Sequence, residues 1–385
     1  MTGYSTAEIL GSVEGGVPTR ELYKEDLPTP CLLLDLDAFE SNVRRMHGFL
    51  TAAGQGIRPH AKTHKCPEVA KRQIAAGASG ICVARIVEAE AMVRAGIPGI
   101  LISSPVIGRN AVGRLIRLVK TRPDLMVVID HPRGAADLAD AAEVAGVVLN
   151  VVVDLDVGLK RTGALPGEGA AELTESLLKR KSLRFSGLQA FAGCTHVQGF
   201  EKRRGVSLDM MGKAVRTREL LESRGIEVPM LSGGSTGTYN IDSELAGVTE
   251  QQVGSYVFMD VDYRAIGGRD RPVFDDFQPA LWVLTTVVSR TYSEQATVDA
   301  GLKAFATDRP YVPEVKGLSG VRYGFGGDEH GRLFLEHPSR EVELGDRLEL
   351  MVTHCDPNVN LFEQMFCTRG ERVEAVWTVE ARGRG

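Results

Sequence analysis

The chain has 385 residues, 43% of them hydrophobic and 25% charged, and a formal net charge of −5 at pH 7. That is length enough for one large domain and a smaller one, and no basic block exists of the kind that phosphate neutralisation on a nucleic acid requires. The closing Arg-Gly-Arg-Gly is too short to serve, and no uncharged apolar run reaches the length of about 18 residues that a membrane-spanning helix needs. The six cysteines form no CxxC pair, and no apolar N-terminal segment follows a basic stretch, so a cytoplasmic protein with reduced thiols is expected.

Residues 1–27 are weakly patterned, and Pro28-Thr-Pro30 punctuates before the apolar run Cys31 to Leu36, a strand. Asp37 is placed to cap the helix that follows, with Phe39, Val43, Met46 and Leu50 at helical spacing. Strand-like runs then fall at 56–60, 80–85, 99–103, 125–130, 147–156, 183–192, 228–232 and 252–259. Helical patterns separate most of them, at 67–76, 86–95, 111–121, 134–145, 170–181 and 204–224. Eight β-α repeats predict a parallel sheet closed as a (β/α)8 TIM barrel. The alternative is an open doubly wound sheet, but no GxGxxG follows an early strand.

The strand at Cys31 is then one too many and must pair elsewhere. After about residue 270 helical periodicity nearly disappears, and short alternating runs follow at 280–290, 296–300, 333–335, 347–353, 361–367 and 372–379. The expected division is a barrel over 37–265 and an all-β domain made of 1–36 and 266–385.

Chemistry concentrates at strand ends. Arg58-Pro-His-Ala-Lys-Thr-His-Lys65 closes the first barrel run, at a corner where a lysine can be held and partly desolvated as a nucleophilic amine. After the seventh run comes Ser232-Gly-Gly-Ser-Thr-Gly237, and the eighth carries Gly254-Ser-Tyr256. Glycines with hydroxyls bring donors close to an anion, and barrels bind phosphate at the loops after strands seven and eight. A lysine and a phosphate cradle on one barrel suggest pyridoxal 5′-phosphate. In Thr353-His-Cys-Asp-Pro357, alternation through Leu348, Leu350 and Val352 brings His354 and Asp356 to one strand face, where the pair can share a divalent metal or form a plain hydrogen bond. Asp260 and Asp262 read as structural, and His47, His131 and His337 as surface positions.

From Thr29 to Gly383 these motifs resemble the D-threonine aldolase / D-serine dehydratase family of fold-type III pyridoxal-phosphate enzymes. The matching stretches are 29–36, 58–68, 187–190, 254–260, 298–303, 328–331 and 354–357. The resemblance implies an alanine racemase-like barrel with the cofactor on Lys62, a C-terminal β domain and a homodimer. It places His60, Arg161, Gln189, Gly234, Ser235, Thr236, Gly237, Gly254, Ser255 and Tyr256 around the cofactor, and a metal on His354 and Asp356. The aldolases of the family carry His-x-Asp, suited to manganese or magnesium with zinc as the alternative, and the dehydratases carry His-x-Cys. His-Cys-Asp here meets the aldolase pattern.

Two stretches depart from it. Gln189-Ala-Phe-Ala-Gly193 replaces the family's Gln-Ala-Tyr-His-Gly, and Val83-Ala-Arg85 its Cys-Gln-Lys. His196 matches the family histidine once one residue is deleted before it. The implied activity is metal-dependent cleavage of a D-3-hydroxy-α-amino acid to glycine and an aldehyde, with His196 as base for the 3-hydroxyl proton. The alternative is a dehydratase of D-serine or D-threo-3-hydroxyaspartate that releases a keto acid and ammonia. A non-catalytic cofactor carrier would not need the β domain, and a racemase would leave the metal pair idle.

Overall fold

The computed structural model describes residues 4–383; residues 1–3 and 384–385, at the two ends of the expected β domain, lie outside the described residues. The chain divides into two compact units. One comprises Met1–Val43, Thr63–Cys66 and Ser255–Arg382, the other Arg44–Lys62, Pro67–Gly254 and Gly383–Gly385.

The second of these is the barrel. Its eight strands are Gly56–Ile57, Ile81–Val83, Ile100–Ile102, Met126–Ile129, Leu149–Leu155, Leu183–Ala190, Leu231–Gly233 and Glu250–Gln251, all parallel. The first and second meet through one bridge, His60 to Cys82, with Cys82 N–H donating to Pro59 O at 2.8 Å and Ala61 N–H to Cys82 O. The strands are apolar on both faces because both are covered. Val151, Val153 and Leu188 pack outward on the helices, while Cys82, Leu101, Val128 and Val152 form a separate cluster inside. The expected eighth run, 252–259, is misplaced: the strand is Glu250–Gln251, and Ser255–Val257 is a turn of 3-10 helix. Val253 and Val257 to Met259 are fully buried in non-strand backbone, which produced the strand-like run.

Between the fifth and sixth strands the register shifts. Val151 pairs with Phe185 but Val152 with Gly187, so Ser186 is bulged out. Every side chain beyond the bulge changes face, and Gln189, opposite Asp154, turns inward instead of Leu188. Gly187 makes the bulge possible, since it sits at φ 136° and a Cβ there would overlap the Met230 carbonyl.

In the other unit Cys31–Asp35 pairs antiparallel with Leu281–Tyr292 and parallel with Gln364–Arg369. Leu33, Trp282, Leu284, Met351 and Phe366 form its core. The helix Leu36–Ala52 is capped by Asp35, whose Oδ1 accepts from Ala38 N at 3.1 Å, so Asp37 lies in the first turn rather than at the cap. His47 is buried, not on the surface, with Nδ1 bonded to Ala76 O at 3.0 Å.

The shortest barrel strands, the first and the eighth, are also joined by side chains. Arg58 Nε and Nη2 reach Glu250 Oε1 and Oε2 at 2.7 and 3.1 Å, both residues buried. Glu250 also accepts from Ser232 Oγ at 2.7 Å and Ser79 Oγ at 3.1 Å. Breaking such a pair strands a buried charge. Glu250→Gln is expected to destabilise the protein by about 3 kcal/mol, read as a lower unfolding temperature; an unchanged transition would contradict this. Gly187→Ala should likewise lower the unfolding temperature or the folded yield, and a fully stable variant would refute the account of the bulge.

Candidate active site

The first strand delivers His60, and the tautomer of its ring follows from its partners. Nδ1 accepts from the Lys62 backbone N–H at 3.3 Å, so Nε2 is the donor, to Ser103 Oγ at 2.9 Å, and Ser103 Oγ donates to Val83 O at 3.0 Å. Lys62 lies in the turn beyond and is exposed.

The seventh strand delivers the hydroxyl loop on the same rim, two strands away around the barrel with the eighth between. Gly234 has φ 76°, and a Cβ there would stand 2.8 Å from Gln251 Oε1, so the turn requires glycine. Ser235, Thr236 and Thr238 are buried, and Thr238 N–H closes the turn on Ser235 O at 3.1 Å. A chain of hydroxyls runs from here. Thr195 Oγ1 meets Ser235 Oγ, Ser235 Oγ meets Thr238 Oγ1 at 2.9 Å, and Thr238 donates to Asp242, whose other oxygen accepts from Ser207 Oγ at 2.6 Å. Burial pushes the fully buried Asp242 carboxyl up to about 6, against the hydrogen bonds from Ser207 and Thr238. Buried hydroxyls on a tight turn suit the phosphate of pyridoxal phosphate, and Lys62 on the same rim suits its aldehyde.

The fifth and sixth strands add a polar belt. Gln189 Nε2 donates to Asp154 Oδ1 at 2.9 Å and Ser103 O at 3.1 Å, and its Oε1 accepts from Gln252 Nε2 at 3.1 Å. Thr162 Oγ1 donates to Asp154 Oδ2 at 2.9 Å, and burial pushes the Asp154 carboxyl up to about 6. Arg161 is exposed, its guanidinium 5.4 Å from the Phe191 ring centre. His196 is half-buried in the segment between the sixth strand and the helix Phe200–Ser223. The buried Arg203 of that helix donates Nε to Gly237 O at 2.8 Å and Nη1 to Val197 O at 2.9 Å.

Lys62, His60, Arg161, Gln189, His196, Gly234, Ser235, Thr236, Gly237 and Gly254 thus belong to the barrel unit, and Ser255, Tyr256, His354 and Asp356 to the other. Tyr256 is fully buried with its ring edge-on to Phe277, and the Ser255 hydroxyl is shared with Tyr263 and Cys355. The strand expected to carry His354 and Asp356 stops at Met351. His354 is instead the N-cap of a short helix, Cys355–Val359, with Asp356 in its first turn. Asp260 holds that helix, its Oδ2 accepting from Cys355 N at 2.8 Å while its Oδ1 accepts from Tyr263 N at 2.8 Å, which is the structural role read for it. His354 Nδ1 bonds Asp308 Oδ2 at 2.7 Å, so Nε2 is the ring nitrogen whose lone pair a metal would take. Among the described residues no three His, Cys, Asp or Glu side chains are grouped to hold a metal ion. A metal on His354 and Asp356 would therefore complete its shell with water or substrate, as manganese and magnesium do.

Asp154, Thr195, Arg203, Asp242, Gln252 and Asp308 were not singled out from the sequence. Each has at least one partner more than 30 residues away along the chain, and none sits in a spaced motif. Asp242 yields a test. A carboxyl raised in the folded state costs stability that is absent below its unfolded pKa of about 4, grows between there and about 6, and is fully present above. Asp242→Asn should gain on the wild type by roughly 2 kcal/mol between pH 4 and pH 7.5; a pH-independent difference in unfolding temperature would contradict it.

Two family models match the chain, the N-terminal domain of alanine racemase over 34–262 and a putative serine dehydratase domain over 280–368. A 3-hydroxy-D-aspartate aldolase of Paracoccus denitrificans (strain Pd 1222) is 36% identical over 94% of each chain. A D-threonine aldolase of Arthrobacter sp. is 36% identical over 92% of this chain and 93% of its own. The crystal structure of D-threonine aldolase from Filomicrobium marinum superposes with TM-score 0.89 at 36% identity, covering 94% of this chain and 97% of the other. Relatives named as dehydratases are more distant, the nearer of them at 31% identity. The chain belongs to the D-threonine aldolase / D-serine dehydratase-like family, pyridoxal-phosphate enzymes with an alanine racemase-like barrel and a separate β domain.

Proposed function

We propose that this chain is a carbon–carbon lyase that cleaves D-3-hydroxy-α-amino acids to glycine and an aldehyde, using pyridoxal phosphate and a divalent metal, manganese or magnesium. The observation that carries the reading is the 36% identity over 94% of the chain to proteins named as aldolases. Asp356, two residues after His354, agrees with it.

When bound, pyridoxal phosphate supplies an electron sink for the carbanion left at Cα. Lys62 would supply the amine that anchors it, and the Thr236 hydroxyl and the backbone N–H groups of the loop from Gly234 to Gly237, Ser235 included, would supply phosphate donors. Gly254, Ser255 and Tyr256 complete the set that the family resemblance implies. His60, its tautomer set by Lys62 N and Ser103, presents an uncharged ring beside the anchor. Gln189 is orientated by Asp154 and Gln252, and Arg161 offers a cation beside Phe191. His354 and Asp356 would hold the metal, whose charge acidifies the substrate 3-hydroxyl, and His196 accepts that proton.

Six buried thiols support a reducing compartment such as the cytoplasm, and a homodimer is what the family resemblance implies. No helix among the described residues is long and apolar enough to cross a membrane. The test is incubation of the cofactor-loaded protein with D-threonine and D-phenylserine, with manganese or EDTA. Metal-dependent glycine and aldehyde are expected, with a loss of at least about 100-fold in Asp356→Ala. A keto acid product would identify a dehydratase instead, and full activity in Asp356→Ala would refute the metal assignment.

A further inference from the structure

His196 sits between two ties to the hydroxyl loop. On one side the Thr195 hydroxyl meets Ser235 Oγ; on the other the Val197 carbonyl accepts from Arg203 Nη1 at 2.9 Å, while Arg203 Nε holds the Gly237 carbonyl at 2.8 Å. Arg203 is fully buried and Thr195 nearly so, so these ties are shielded from water. Between them the segment 191–199 has neither helix nor strand ladder. Ser235 and Gly237, the two loop residues so tied, belong to the turn read above as the phosphate cradle.

We propose that the hydroxyl loop and the His196 segment form one anion-responsive unit, in which Thr195 and Arg203 are positioning residues that transmit phosphate occupancy to His196. The proposal rests on the reading of that loop as the cofactor's phosphate site. An anion accepting from Thr236 and the loop amides fixes the turn that carries the Ser235 hydroxyl and the Gly237 carbonyl. Those are the atoms on which Thr195 and Arg203 are anchored, so ordering the loop orders both flanks of His196. Cofactor loading and placement of the base then become one event. Arg203 suits this task because its planar fork addresses two carbonyls from fixed positions, a geometry that the single ammonium of a lysine on its flexible stem does not reproduce.

The full-length protein, without and with inorganic phosphate, would be followed by amide hydrogen exchange over 233–238 and 193–199. Phosphate is expected to slow exchange in both segments of the wild type. In Thr195→Val and Arg203→Lys it should still protect 233–238 but lose most of its effect on 193–199. Thr195→Val provides the control should Arg203→Lys fail to fold. In the cofactor-loaded Thr195→Val enzyme, kcat for D-threonine should fall about tenfold with KM within about twofold, the split of a misplaced base rather than weakened binding. Protection of 233–238 without 193–199 in the wild type, or undiminished coupling in both variants, would overturn the proposal and leave the phosphate site intact. Protection of neither segment would overturn the phosphate site itself and the proposal with it.

Discussion

The ion pair between Arg58 and Glu250 is the constraint on which the barrel depends. A closed sheet needs its first and last strands to pair, yet here these are the two-residue strands Gly56–Ile57 and Glu250–Gln251. So short a ladder contributes few backbone hydrogen bonds. The guanidinium supplements it, gripping Glu250 with two nitrogens and the Gly99 carbonyl with a third. Gly80 leaves the room, since a Cβ there would collide with both the guanidinium and Gly99. A buried pair of this kind is weak evidence for net stability, but it is costly to break and specifies which strands meet.

Chemistry is kept at the other ends of the same strands. Glu250 belongs to the strand starts, whereas His60, Asp154, Gln189 and the hydroxyl loop lie at the strand ends, where barrels place their active sites. Gln189 joins the polar belt with Asp154 and Gln252 because of one unpaired residue, Ser186, which reverses the facing of the sixth strand before it reaches the rim. Two buried carboxyls, Asp154 and Asp242, are retained there with pKa values pushed up to about 6. Each is held by hydroxyl or amide donors, which suits a rim that must be rigid and polar together.

Much of this was legible in the chain. Apolar runs at regular spacing reveal a barrel because parallel strands are buried on both faces, and His60, Lys62 and the Ser232–Gly237 loop are contiguous stretches at run ends. What stayed hidden depends on long-range geometry. The eighth strand was displaced because Val253 and Val257 to Met259 are as apolar as a strand, although their backbone is not extended throughout. The alternation through Val352 and His354 failed at Asp356 because the chain turns into helix at Cys355, where the buried Asp260 holds the first amide. Thr195, Arg203 and Asp242 carry no local signal. Beside near partners such as Thr238 and Val197, each is tied to a hydroxyl or carbonyl about 34 to 40 residues away along the chain.

The structure therefore joins a rigid floor, a bulge that aims a glutamine, and a rim that offers an amine and an anion cradle two strands apart. Family membership gives that rim its cofactor, and the aldolase reading follows from the relatives and from Asp356. The central claim is that Lys62 is the residue to which the cofactor aldehyde is bound. Borohydride reduction of the protein loaded with pyridoxal phosphate, followed by peptide mass mapping, addresses it directly. A pyridoxyl adduct on Lys62 and none on Lys65 is expected; an adduct on Lys65 or elsewhere, or the same labelling in Lys62→Ala, would contradict this assignment.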